Sequence, residues 1–79
     1  MSDDVTPEKL RWVGDNTPVD RFTAYALSVK LEDGELSAEE AAEALEYRKN
    51  HSELEWINSE HYPGDDAYDQ ADLRYGGFY

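Results

Sequence analysis

The stretch Glu32-Asp33-Gly34-Glu35-Leu36-Ser37-Ala38-Glu39-Glu40 stops one helix and starts another. Gly34 supplies the left-handed backbone that commonly ends a helix. Ser37 and Glu40 have the spacing of a capping box: the serine oxygen accepts from the backbone N–H of Glu40, and the glutamate reaches back to the N–H of the cap. Leu36 and Ala41 stand at the positions of a hydrophobic staple. The same grammar recurs at Thr6-Pro7-Glu8, at Thr17-Pro18-Val19-Asp20 and at Ser52-Glu53-Leu54-Glu55. Threonine or serine caps, proline fits the first helical position, and an acid suits the positive end of the helix dipole.

These signals divide the chain into helices. The first is expected over 7–13, with Gly14 ending it. The second runs over 18–31, with Thr17 as cap. Val19, Phe22, Tyr25, Ala26 and Val29 recur on one helical face, and Leu27 and Leu31 widen that stripe. The third covers 38–50, with Ala38, Ala41, Ala42 and Leu45 inward, the alanines allowing close approach to the second. After it comes either a separate short helix over 53–59 or a continuation of the third, ended firmly by Tyr62-Pro63-Gly64. Residues 65–79 interleave acids with aromatics. A short helix over 67–75 fits there, capped by Asp65 and stopped by Gly76-Gly77, with Tyr68, Ala71 and Tyr75 on one face.

The expected fold is therefore all-α, a small three- to four-helix bundle. Helices two and three form an antiparallel helical hairpin within a helical domain over 1–64. An acidic aromatic C-terminal tail over 65–79 packs on that domain, docks on a partner or remains disordered. Trp12, Phe22, Tyr25, Leu45, Trp56 and Ile57 are the expected core residues.

Composition narrows the function. At 79 residues the chain buries a modest core. It has no cysteine, hence neither disulfide staple nor thiolate metal site. Hydrophobic content is 39%, and a homodimer formed through an exposed apolar stripe would supplement so small a core. The formal charge is −12, and beyond residue 30 the only bases are Arg48, Lys49 and Arg74. Nucleic acid and anionic membranes carry the same sign, so direct binding to either is disfavoured and a basic protein partner is favoured. The competing explanation is solubility, or a salt-adapted host. The N-terminus has no apolar signal region and no run approaches a membrane span, which points to a cytoplasmic protein, in the host cytoplasm if viral.

Chemistry-bearing patterns are sparse. With Gly34 at the sixth position of an EF-hand loop, Asp33, Leu36, Ser37 and Glu40 fit, but the first and third ligand positions fall on Val29 and Leu31, so no calcium site is expected. His51 and Glu55, four apart on a continuous helix, make at most two ligands where zinc needs three or four. His61 has no second histidine at ligand spacing. No nucleophile–base set or phosphate loop stands out, and so short a chain offers little cleft for acid–base work. Neither enzymatic activity nor a cofactor is expected.

The acidic face is the leading functional feature. Glu39, Glu43 and Glu46 line one side of the third helix, flanked by Glu35 and Glu40. Like charges four apart cost a helix roughly 0.2–0.5 kcal/mol per pair, and they lie about 6 Å apart along the axis, loosely like backbone phosphates. The candidate partner-binding set is this group together with Asp65, Asp66, Tyr68, Asp69, Asp72 and Tyr75. It suggests a small acidic binding protein that occludes a basic surface, in the sharp form a nucleic-acid-mimicking inhibitor of viral or mobile-element origin. The rival is a structural or assembly protein that works through its apolar stripe and aromatic tail.

Overall fold

The computed structural model describes residues 5–17 and 21–75. These hold α1 (Pro7–Asn16), α2 (Arg21–Glu32), α3 (Ala38–Asn50), α4 (Glu53–Ile57) and α5 (Asp65–Tyr75), with no strand among the described residues. The expected starts at Pro18 to Asp20 and the Gly76-Gly77 stop lie outside the described residues. So do the terminal Phe78 and Tyr79. No helix among the described residues is long and apolar enough to cross a membrane.

Local chemistry sets most of the boundaries. Thr6 accepts the Lys9 N–H at 3.1 Å and starts α1. Both capping boxes form. Ser37 Oγ accepts from Glu40 N–H at 3.1 Å while Glu40 accepts the Ser37 N–H at 2.9 Å. Ser52 and Glu55 repeat the exchange at 3.3 and 3.1 Å. The second box makes α4 a separate helix, with the break at His51 and Ser52. Gly34 adopts φ +78°, and the Glu35 and Leu36 N–H groups both donate back to the Lys30 carbonyl.

The organising element is α2. It packs against α1, α5 and α3, most extensively against α1, while the backbones of α3 and α5 make no close approach to each other. Thr23 through Val29 are all buried, so α2 is covered all round rather than along one stripe. Small residues at Ala24, Ala26 and Ser28 permit the close approach. The buried hydroxyls find partners: Ser28 Oγ donates to the Tyr25 carbonyl at 2.6 Å, and Thr23 shares a hydrogen bond with the Tyr68 hydroxyl at 2.9 Å. One core cluster joins Leu10, Leu27, Ala41, Ala44 and Trp56. A second joins Tyr25, Val29 and Ala71, with Tyr75 against it.

Several sequence expectations are corrected. Gly14 does not end α1, which continues to Asn16 with Gly14 buried inside it. A Cβ on Gly14 would lie 3.0 Å from Ala24 Cβ and 3.3 Å from Arg21 Cα, so glycine is there to let the two helices meet. That contact also turns Trp12 outward. Leu10 and Gly14, four apart, define the buried face, and Trp12 sits two residues from each, on the far side of a 3.6-residue turn. It is 60% exposed. Ile57 (47% exposed) follows Trp56, which takes the inward position at 1%. Phe22 (41%) precedes the buried Thr23. The inward face of α3 is Ala41 with Ala44. Ala38, Ala42 and Leu45 are only half-buried, Leu45 packing on the edge of the first cluster. Asp65 does not cap α5 but begins it, after Gly64 at φ +96°. Thr17 is seen closing α1, its N–H and hydroxyl both donating to the Val13 carbonyl.

Candidate acidic interface

The capping box fixes the first turn of α3 and places Glu39 and Glu40 at its N-terminus, where the helix dipole favours negative charge. That effect fades within the first turn, so it does not account for Glu43 and Glu46. All four are exposed.

Cations of α1, α2 and α5 engage Asp15 and the acids of the α2–α3 turn rather than the α3 row. Arg21 pairs with Asp15 at 3.0 Å and Lys30 with Glu35 at 3.0 Å. Arg11 reaches Glu32 at 3.7 Å. Arg74 spans Glu32 and Asp33, at 3.4 and 2.9 Å, and its hydrogen bond to Asp33 holds the guanidinium above its ordinary pKa. The turn acids therefore have counter-charges drawn from α1, α2 and α5. Among the described residues, no ion pair engages Glu39, Glu43, Glu46 or Glu60.

Glu43 also borders a groove of 360 Å³ between α3 and the corner at residues 60–63. Leu36, Ala44 and Pro63 supply apolar lining, and Glu35, Glu40, Glu43 and Glu60 the carboxylates. Two of those carboxylates are already engaged, Glu35 by Lys30 and Glu40 by its cap, which leaves Glu43 and Glu60 for a ligand. A shallower surface beside it carries Glu46, Tyr47, His51 and His61. There Tyr47 stacks on His51 with ring centroids 3.8 Å apart and meets His61 at 5.0 Å. Such a surface offers an extended cation an apolar floor, aromatic faces and acidic edges.

The candidate set from the sequence is divided by the fold. Glu35, Glu40 and Glu43 come together at the groove, and Glu39 and Glu46 lie along the same helix. Asp65, Asp66, Asp69 and Asp72 lie on α5, whose backbone makes no close approach to α3. The Tyr68 hydroxyl is engaged inward, with Thr23 and with Trp56 Nε1 at 3.1 Å. The Tyr75 hydroxyl accepts from Arg11 at 2.8 Å and donates to Glu32. Both tyrosines brace α5. In the sequence, Glu60 and His61 are weighed only as metal ligands and Tyr62-Pro63 only as a helix stop; none of them is placed in the partner-binding set. The Tyr47/His51 pair at helical spacing was the one local signal that this corner had something to pack on.

Among the described residues no three histidine or carboxylate side chains converge as a metal site. Compared with known proteins, the chain matches no family model, no curated protein and no solved structure.

Proposed function

We propose that this protein is a non-enzymatic binding module that presents the acidic row of α3 to a basic surface of a partner protein. In this reading α2 and α3 act as an antiparallel hairpin that stiffens the row. In its sharp form the row occupies a groove that would otherwise hold a nucleic-acid backbone, and so inhibits the partner. The observation that carries the reading is that, among the described residues, no ion pair engages Glu39, Glu43, Glu46 or Glu60, while Arg11, Lys30 and Arg74 are held by the turn acids Glu32, Asp33 and Glu35. Charge left uncompensated on a fixed helix steers association with a basic surface and sets its register.

The test is affinity capture on the native chain and on a Glu39→Lys/Glu43→Lys/Glu46→Lys variant, at low and high salt. Capture of a basic protein that weakens steeply with salt and disappears in the variant, with the helical circular-dichroism signal retained, is the expected result. Capture indifferent to both changes would sink the proposal. The second reading is assembly through apolar surface, favoured by the exposure of Trp12, Leu54 and Leu73. It requires self-association in sedimentation that survives high salt.

A further inference from the structure

A second groove, of 280 Å³, lies among the first turn of α2, α3, α4 and α5. Phe22, Trp56, Ile57, Tyr62 and Tyr68 wall it, and Arg48, Glu53 and Asp65 also line it. The polar tips of these aromatics already have partners. Trp56 Nε1 donates to the Tyr68 hydroxyl, that hydroxyl also shares a hydrogen bond with Thr23, and the Tyr62 hydroxyl donates to Asp65 at 2.8 Å. What they offer a ligand is ring carbon. Arg48 is engaged at its Nη1, which donates to the His51 carbonyl at 3.3 Å. Phe22 and Ile57 are partly exposed, at 41% and 47%, and Leu54, three residues before Ile57 and so on the same side of α4, is 71% exposed.

The groove falls just below the roughly 300–1,000 Å³ of small-molecule sites, so it suits a single side chain. We infer that it receives one aromatic or branched aliphatic side chain from a basic segment of the partner proposed above, an inference that rests on the acidic-interface reading. Three observations select this occupant. Glu53 and Asp65 line the groove and neither is in an ion pair among the described residues. The net charge of −12 sets a second copy of this chain against itself. Tyr62 lines both this groove and the acidic one, so the two adjoin at that side chain. An apolar anchor in a pocket beside a charged rim is the usual arrangement of the residues that dominate binding.

Two short peptides test this, each with paired lysines flanking one central residue, phenylalanine in one and alanine in the other. Each carries a terminal fluorophore and is titrated into the full chain at low salt, with anisotropy as the readout. The phenylalanine peptide should bind about ten-fold more tightly. Ile57→Ser should erase that preference. Equal binding of the two peptides by the native chain overturns the groove assignment and leaves the acidic interface standing. Failure of both to bind overturns both. A preference that survives Ile57→Ser, or a native dimer that this substitution turns into a monomer, also overturns it. The comparison on the native chain stands even if the variant folds poorly.

Discussion

Replacing Gly14 with alanine sets two effects against each other. In a helix interior the change ordinarily stabilises by about 1 kcal/mol, because glycine loses more backbone freedom on folding. Here the new Cβ meets Ala24 Cβ at 3.0 Å and Arg21 Cα at 3.3 Å. One is a methyl carbon fixed to α2 and the other is backbone, so neither can rotate away. α1 must then lift from α2, and such overpacking costs about 1–3 kcal/mol. The net is a loss of about 0–2 kcal/mol, the small difference of these two terms. Gly14→Val adds more bulk and gives back most of the propensity gain, so it should lose more. Urea unfolding followed by far-ultraviolet circular dichroism measures the series. The sharper measurement is the double-mutant cycle with Ala24→Gly, which removes the opposing methyl. It should return a favourable coupling of about 1 kcal/mol, within the range seen for touching residues. A Gly14→Ala protein more stable than the native one, with no coupling to Ala24→Gly, would refute the close-approach account.

Two further outcomes follow from the core and from the tyrosines. Trp56→Ala should cost about 3–5 kcal/mol, much of the total for a chain this size at roughly 0.05–0.15 kcal/mol per residue; a urea midpoint close to native would show that the first core cluster does not depend on it. At high pH the tyrosines fail first. Burial, then the hydrogen bond to Asp65 and its charge, push Tyr62 up to about 12, and burial with the Glu32 hydrogen bond raises Tyr75. An unfolded phenol titrates near 10, in round terms. A raised folded pKa gives stability that is whole below that point and lost as pH climbs through the folded value. Thermal melts of the native chain should therefore drop between about pH 10 and 12, and Tyr62→Phe should flatten the drop. An unchanged slope in that variant would count against the assignment.

The sequence spoke most clearly where structure is local. Serine at one position and glutamate three on specify the start of α3 and of α4, because both hydrogen bonds lie within one turn. Gly34 was equally legible, since its left-handed backbone answers to the turn itself. Gly14 was not. The same residue type ends helices and lets them touch, and only the neighbour across the gap decides. Trp12 and Ile57 read as core by hydrophobicity and Phe22 by its helical spacing as well, but a helix buries only those residues that point at its neighbour, and one position along the chain turns a side chain by about 100°. The acidic row could be read as a row, yet not as uncompensated, because Arg11 and Arg74 reach the turn acids from helices distant in the chain. The groove needs the 60–63 corner, whose position against α3 no periodicity reports.

The placement of α5 has a kinetic consequence. α1 and α2 are neighbours in sequence, so their contact closes a short loop and is quick to form. α5 reaches α2 across a long one: Thr23 and Tyr68 are 45 residues apart. Contacts of that span slow folding and come after the local ones. Asp65 and Tyr68 take their places only once α5 is seated. A chain part-way through folding would already carry the charges of α3 but lack the aromatic wall beside them, so charge-driven contacts become available before apolar ones, and discrimination between partners matures last.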